Sequence, residues 1–113
     1  MTTNAIARKL DVIQTKSAMR AVDVANVLGT RPETVSRWNQ GKAFPHPETE
    51  KLLLELEYVV DQLSDFYEPI ETRLWLFSRQ KLLDGEKPVD LIQQGRTSEV
   101  LAVIQQLRDG VHV

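Results

Sequence analysis

Apolar residues recur every three or four positions along most of the chain, the spacing that places side chains on one face of an α-helix. No segment alternates between apolar and polar residues as a half-buried strand would. The pattern therefore predicts an all-α fold. Its helices are expected at residues 4–17, 22–28, 32–40, 47–67, 69–77 and 88–94, with a last helix that Thr97 or Ser98 caps and Gly110 ends.

Residues 47–67 form the longest helical pattern, and its apolar side chains cover roughly 140° of the helix surface at about 100° per residue. A seam within that face steps by three and four residues, as in a coiled coil. This face is wider than a small N-terminal bundle can cover. We expect the C-terminal half to cover part of it and a second copy of the chain to pack on the seam, which consists of Leu53, Leu56, Val60, Leu63 and Tyr67.

The helices at 22–28 and 32–40 are expected to form a helix-turn-helix. Gly29 suits the end of the first helix, and Thr30 and Glu33 have the spacing of a capping box at the start of the second. Val35 and Trp38 give the second helix an apolar inner side. We expect Phe44 to anchor the loop that follows to the core. The residues left for the outer side are Arg31, Glu33, Thr34, Ser36, Arg37 and Gln40, with Lys42 just beyond the helix.

These outer residues have the chemistry that DNA recognition needs. Arginine can bond guanine and glutamine can bond adenine in the major groove, and serine or threonine can bond bases or phosphates. Lys42 suits a backbone phosphate. The seven outer residues are therefore candidate contacts to operator DNA. An ordinary helical hairpin with a solvated outer face remains the alternative.

The charge distribution separates the two halves of the chain. Residues 1–47 carry seven basic and three acidic residues, whereas residues 48–113 carry seven basic and thirteen acidic ones. The first part suits phosphate contacts, and the second needs a different partner or none. The chain has no cysteine and only two histidines, so we expect no metal site and no cofactor. No signal peptide or membrane-spanning run is visible, so we expect a cytoplasmic protein.

A set of motifs, in order along the chain, resembles the Xre/MbcA/ParS family of antitoxins. The N-terminal half has ANVLGTRPETVSRWNQG at residues 25–41, similar to the family's Xre-type helix-turn-helix. The C-terminal half has the pattern of the family's toxin-binding domain in Trp75-Leu76, Leu82 to Gly85, Pro88-Val89-Asp90-Leu91, Gly95 and Val100. One departure is LDGEKP at residues 83–88, where the family more often has two consecutive glycines and a small residue before the proline. It leaves the shape of that turn open.

The apolar pattern and the resemblance together predict a helix-turn-helix DNA-binding region at residues 1–46, a linking and dimerisation helix at 47–67 and a toxin-binding domain at 68–113. The resemblance also implies a type II toxin–antitoxin pair. The partner would be a RES-domain enzyme that destroys NAD, and the antitoxin would silence it in a hetero-oligomer and repress the shared operon. The residues implied for toxin binding are Trp75, Leu76, Pro88, Leu91, Gly95 and Val100.

The end of the chain suggests how inhibition would work. Gly110 ends the last helix and leaves a short apolar tail. The carboxylate of Asp109 could mimic a phosphate of NAD in front of a basic pocket, because arginine binds both groups in the same geometry. We therefore expect a segment that obstructs the toxin's active site, with a frayed terminus as the alternative. Its residues are Asp109, Gly110, Val111, His112 and Val113.

Other function classes are weighed against this hypothesis. The chain has no phosphate-binding loop, no HExxH motif and no cysteine, so it is not expected to be an enzyme. A stand-alone dimeric transcription repressor is the main alternative. A protein-binding adaptor whose helix-turn-helix no longer binds DNA is a third possibility, because the positive charge of the N-terminal half is modest.

Overall fold

Seven α-helices make up most of the fold. The computed structural model describes residues 4–110, and within that range the backbone also forms one 3₁₀ helix and one isolated β-bridge. The all-α fold expected from the sequence is confirmed. The helices are α1 (Ala5–Ser17), α2 (Ala21–Leu28), α3 (Pro32–Asn39), α4 (Pro47–Leu63), α5 (Pro69–Phe77), α6 (Pro88–Gln93) and α7 (Thr97–Gly110), and the 3₁₀ helix is Lys81–Leu83.

Prolines mark where four of these helices begin. Pro32, Pro47, Pro69 and Pro88 are each the first residue of a helix, where the missing N–H costs no hydrogen bond. The predicted capping box at the start of α3 is wrong. Arg31 occupies the cap position there, and no side chain caps the helix.

α4 lies at the centre of the core. α1 packs on one side of it and α7 on another, and α2 and α6 also contact it. Four of the five residues in the predicted seam, Leu53, Leu56, Val60 and Leu63, are 0% exposed within the single chain. One cluster of buried side chains therefore runs from α1 to α7 across the predicted domain boundaries.

This burial corrects the predicted dimer seam. The C-terminal half does cover the wide face of α4, as expected, but it covers the seam too. A second copy cannot contact Leu53, Leu56, Val60 or Leu63 without opening the core. α4 also ends at Leu63, four residues earlier than predicted, and Tyr67 is half-buried beyond it.

Polar contacts tie the two halves of the chain together. Arg73 on α5 forms a two-pronged ion pair with Asp23 on α2: its Nη1 lies 2.5 Å from Oδ2 and its Nη2 lies 3.2 Å from Oδ1. Nη1 also donates to the carbonyl of Ala18, which follows α1. Asp23 accepts a further bond from the backbone N–H of Arg20. Three segments thus meet at one guanidinium group.

The turn between α5 and α6 is closed by backbone bonds. Gln80 pairs with Glu86 in an antiparallel bridge, and the N–H of Gly85 donates to the carbonyl of Gln80 at 2.9 Å. Asp84 and Gly85 both have positive φ, at 56° and 82°. Asp84 therefore takes the left-handed conformation at the position where the family pattern has glycine.

Candidate functional site

The first candidate surface is the outer side of α3, which is fixed to the core from within. Val35 and Trp38 are 0% and 3% exposed and form the inner side of the helix. The side-chain amide of Asn4, at the start of α1, donates to the carbonyl of Trp38 at 2.8 Å. Both ends of α3 therefore have defined positions relative to α1 and α2.

Glycines set the turns on either side of α3. Gly29 ends α2 with a φ of 71°, and the N–H of Thr30 donates back to the carbonyl of Ala25. Gly41 follows α3 with a φ of 73°, and the N–H of Lys42 donates to the carbonyl of Arg37. These bonds end each helix sharply and hold Lys42 against the last turn of α3.

Most of the predicted DNA-contacting residues are exposed, on α3 itself or just before and after it. Six of the seven are exposed and one, Thr34, is half-buried. The amide of Gln40 lies 3.4 Å from the hydroxyl of Ser36, its neighbour one turn earlier. The six exposed residues are Arg31, Glu33, Ser36, Arg37, Gln40 and Lys42.

Ion pairs engage part of the basic charge of the first half of the chain but none of it at this surface. Lys9 and Lys16 on α1 pair with Glu57 and Asp61 on α4, at 3.4 and 2.6 Å. Arg31, Arg37 and Lys42 form no ion pair with any residue in the range 4–110. These three residues therefore present unpaired positive charge on α3 and at its ends.

Phe44 was misassigned from the sequence. Its side chain is 68% exposed and does not anchor the loop, a task that the half-buried Ala43 performs instead. Phe44 lines an open groove beside α3 together with Thr30, Thr34 and His46. The prolines around it indicated a loop, but no sequence pattern showed which loop residue turns inward.

The second candidate surface differs from the one predicted. Leu76, Leu91 and Val100 are at most 1% exposed, and Pro88 is also buried. They hold α5, α6 and α7 together and cannot contact a partner. Trp75 is half-buried, and Gly95, Asp109 and Gly110 are exposed. Residues 111–113 of the predicted obstructing segment lie outside the described residues.

Exposed aliphatic side chains lie elsewhere on the same part of the chain. Ile70 and Leu74, one turn apart on α5, are 61% and 60% exposed. Leu82, in the 3₁₀ helix, is 60% exposed. Leu74 and Trp75 line an open groove with Tyr67 at its other wall. We call Ile70, Leu74, Trp75 and Leu82 the α5 patch. Helical spacing alone could not show that these residues face outward.

The ion pair between Asp23 and Arg73 connects α2 to α5, and Arg73 is adjacent to Leu74 in the sequence. The hydrogen bonds from Arg73 hold the pKa of the Asp23 carboxyl below its usual range, although burial opposes this effect. The guanidinium of Arg73 also packs 5.3 Å from the centre of the Phe77 ring. Asp23 is therefore a charged group with all of its hydrogen bonds inside the protein.

The part of the chain that the structure describes contains no cluster of three or more histidine and carboxylate side chains that could hold a metal ion. Among its helices, none is long and apolar enough to cross a bilayer.

Comparison with known proteins decides the family. No family profile matches the chain. The mycobacterial cidal antitoxins MbcA of Mycobacterium bovis and Mycobacterium tuberculosis are each 34% identical to it over 91 residues, which cover 80% of both chains. The chain belongs to the MbcA antitoxin family. A probable mycobacterial cidal antitoxin of M. tuberculosis is 35% identical over 92 residues, covering 81% of this chain and 78% of that one.

A solved MbcA structure has the same fold. The crystal structure of the M. tuberculosis MbcT–MbcA toxin–antitoxin complex contains a chain that superposes with a TM-score of 0.85 at 30% identity. The match covers 98% of this chain and all of that one. The MbcA fold therefore extends across both candidate surfaces.

Proposed function

We propose that this protein is the antitoxin of a type II toxin–antitoxin pair. It binds and neutralises a toxin, an NAD-consuming enzyme of the RES-domain class, and represses its own operon by binding operator DNA. The observation that carries the proposal is the structural match, over nearly the whole chain, to an antitoxin from a toxin–antitoxin complex.

The α5 patch supports toxin binding through the C-terminal half. Apolar and aromatic anchors usually dominate the affinity of protein interfaces. Ile70, Leu74 and Leu82 expose such groups to solvent, and the half-buried Trp75 packs against the core. The acidic side chains of Glu68 and Glu71, exposed on the first turn of α5, form a charged margin. Protein interfaces commonly combine apolar groups of this kind with charged groups.

Toxin binding is tested by co-expression with the adjacent open reading frame and recovery of a complex through a tag on the toxin. Leu74→Glu should reduce recovery by at least about tenfold, because loss of a central interface anchor costs about 2 kcal/mol or more and about 1.4 kcal/mol is tenfold. Val22→Glu is the matched control, since Val22 is exposed on α2 and is not part of the patch. If the chain recovers no toxin, it is a stand-alone repressor. If both variants bind equally, the α5 patch is not the interface.

Inhibition is proposed to need the end of the chain as well. α7 holds its last turns against α4 through Arg108, which bonds Asp65 at 3.0 Å and the side chain of Gln62 at 2.9 Å. This contact fixes the position of the last turn of α7, which ends at Asp109 and Gly110. A version ending at Asp109 should still bind the toxin but no longer block NAD consumption. Full inhibition by that version would assign the block to the folded surface alone.

DNA binding is proposed to use α2 and α3 as a helix-turn-helix, with α3 in the major groove. The outward cluster of Arg31, Arg37 and Lys42 supports this role. Arg37→Ala should weaken binding to the protein's own promoter by about 1–3 kcal/mol and relax sequence preference. Lys42→Ala should weaken binding to all sequences alike and lower the slope of log K against log salt by about one.

Band shifts with and without the toxin measure these effects. Lys87→Ala removes one positive charge from the C-terminal half and serves as the control, with affinity expected to stay unchanged. A chain that binds no promoter fragment at about 100 mM salt, where phosphate contacts still contribute, would be an adaptor and not a repressor.

A further inference from the structure

The open groove beside α3 runs along one flank of that helix, between it and the loop that leads to α4. Its volume is about 410 Å³, and the nearly buried Trp38 is one of its lining residues. Thr34, which also lines it, is three positions before Arg37, so the two side chains are neighbours on the same flank of α3. The groove therefore adjoins the surface proposed to read DNA.

The lining of the groove contains hydroxyl groups and lacks carboxylates. The hydroxyls belong to Thr30 and Thr34 at the start of α3 and to Thr49 on the first turn of α4. None of the lining residues in the range 4–110 is acidic, and the exposed Glu48 and Glu50 of α4 are not among them. Because side-chain hydroxyls commonly donate hydrogen bonds to the phosphates of DNA, this lining suits an anionic ligand.

Two basic residues are sequence neighbours of residues that line the groove. Arg31 directly follows Thr30, and Lys42 directly precedes Ala43. Neither basic side chain forms an ion pair with any residue from 4 to 110. The N–H of Lys42 donates to the carbonyl of Arg37 at 2.9 Å, so this part of the loop is held against α3. The charge beside the groove thus complements that of a polyanion.

Phe44 adds an aromatic ring to this lining. Its side chain is 68% exposed, the largest exposed fraction among the large apolar side chains in the range 4–110. The half-buried Ala43 anchors the loop on one side, and Pro45 on the other restricts the backbone of Phe44 to extended conformations. An exposed ring on a restrained backbone can contact a partner at a low cost in conformational entropy.

The dimensions of helix and DNA decide what this flank would meet. An α-helix with its side chains is about 10–12 Å across, and the major groove of B-DNA is about 12 Å wide. With α3 in the major groove, its outer side faces the bases and each flank faces a sugar–phosphate backbone.

We propose that the groove holds the sugar–phosphate backbone of one DNA strand. Phe44 packs against a deoxyribose, and the hydroxyls of Thr30 and Thr34 donate to phosphate oxygens. The inference rests on the proposed binding of operator DNA and deepens it. It adds an uncharged contact to the backbone, distinct from the base contact of Arg37 and the ionic contact of Lys42.

Binding titrations of the full chain over a range of salt concentrations test the proposal. They use two duplexes, the protein's own promoter and an unrelated sequence. Phe44→Ala should weaken binding to both duplexes by about tenfold, because the contact with the ring is lost. The slope of log K against log salt should stay unchanged, because an uncharged side chain displaces no counterion. Thr30→Val, which removes only the hydroxyl, should weaken binding to both duplexes by at least about threefold.

This combination of effects separates the groove from the other DNA contacts. Arg37→Ala is expected to relax sequence preference, and Lys42→Ala is expected to lower the salt slope. Leu82→Ala is the matched control, because it shortens an exposed apolar side chain of the α5 patch and should leave DNA affinity unchanged. Circular dichroism should show the Phe44 and Leu82 variants folded, since both side chains are exposed.

Directed DNA cleavage tests the position of Phe44, and the absence of native cysteine leaves a single site for the probe. An iron–EDTA group attached to Phe44→Cys should cut the promoter duplex at defined nucleotides inside the footprint of the protein. The same group attached to Leu82→Cys should cut at no defined position.

Each contrary result leads to a different conclusion. If the unmodified chain binds neither duplex, operator binding and this inference fail together. If it binds DNA and Phe44→Ala binds equally well, only the inference fails. A loss of affinity confined to the promoter would place Phe44 against bases and overturn the contact with the backbone. A loss of toxin recovery with Phe44→Ala, at unchanged DNA affinity, would assign the groove to the toxin instead.

Discussion

Asp84 has a backbone conformation that few side chains tolerate. Its φ of 56° is left-handed, and the carbonyl of Lys81 accepts its N–H at 3.1 Å. Aspartate is among the residues that adopt this conformation at moderate cost. An aspartate thus adopts here the left-handed conformation that glycine takes most readily.

Substitutions at Asp84 test whether stability depends on its backbone conformation or on its side-chain chemistry. Asp84→Val should lower the free energy of unfolding by about 1–2 kcal/mol, because a β-branched side chain is strained in the left-handed region. Asp84→Gly should change it by less than about 1 kcal/mol. Urea unfolding measures both, and Glu86→Val, at an exposed position of the bridge, is the control. Equal stability of the valine and glycine variants would contradict the conformational argument.

Thr72 offers a second test at the residue scale. Its side chain is 0% exposed, and its hydroxyl has no hydrogen-bond partner among residues 4–110. Thr72→Val keeps the shape and removes the unpaired hydroxyl, so it should raise the free energy of unfolding by about 1 kcal/mol.

Thr97→Val is the comparison for Thr72→Val. Thr97 is 6% exposed, but its hydroxyl donates to Glu55 at 2.6 Å. The substitution breaks a bond to a charged group and should destabilise the chain by about 1.5–3 kcal/mol. Thermal or urea unfolding measures both variants. If both substitutions lower the free energy of unfolding, the hydroxyl of Thr72 is hydrogen-bonded in solution.

At the scale of elements, the ion pair between α2 and α5 makes stability depend on pH. Because Arg73 lowers the pKa of Asp23 in the folded chain, the stabilisation is complete above the ordinary carboxyl value of about 4. It is lost as the pH falls through the lowered folded value. Asp23→Asn should therefore destabilise the protein at pH 7, by about 1–3 kcal/mol, and the gap to the unmodified chain should shrink below about pH 4.

Urea unfolding at pH 7 and at pH 3 measures the difference in the free energy of unfolding between Asp23→Asn and the unmodified chain. Glu99→Gln is the control, because the pKa of Glu99 is also lowered, by a hydrogen bond from Arg96, but both groups are exposed. That variant should unfold almost as the unmodified chain does. A gap for Asp23→Asn that is the same at pH 7 and pH 3 would mean that the pair adds no stability through its charge.

The sequence predicted where helices begin better than what their faces meet. Prolines fixed the starts of α3, α4, α5 and α6, because only the first turn of a helix accepts them readily. Leu53 and Leu54 are adjacent and chemically alike, yet one is fully buried and the other exposed. Periodicity located the apolar face of α4, but it could not distinguish a cover made by α7 from one made by a second copy. That choice depends on contacts distant in sequence.

At the scale of the whole molecule, Leu63 tests the assignment of the α4 seam to the core. Leu63→Glu places a carboxylate at a position that is 0% exposed, and an unpaired buried charge costs several kcal/mol. The variant should lose cooperative thermal unfolding as followed by circular dichroism. Leu54→Glu, on the opposite side of the same helix, should keep it. If the Leu63→Glu variant is folded and monomeric, Leu63 belongs to a surface between two chains and not to the core.

The shared core around α4 also limits how such proteins can be recombined. Val59 and Val60 are both 0% exposed within a cluster that draws side chains from α1 at one end of the chain and α7 at the other. A chimera that joins residues 4–46 of this chain to the remainder of a relative would inherit mismatched side chains on both sides of α4. Such a chimera is expected to keep its stability only if the core-facing residues of α1 and α2 match those of α4. The two proposed binding surfaces are therefore expected to be exchanged together.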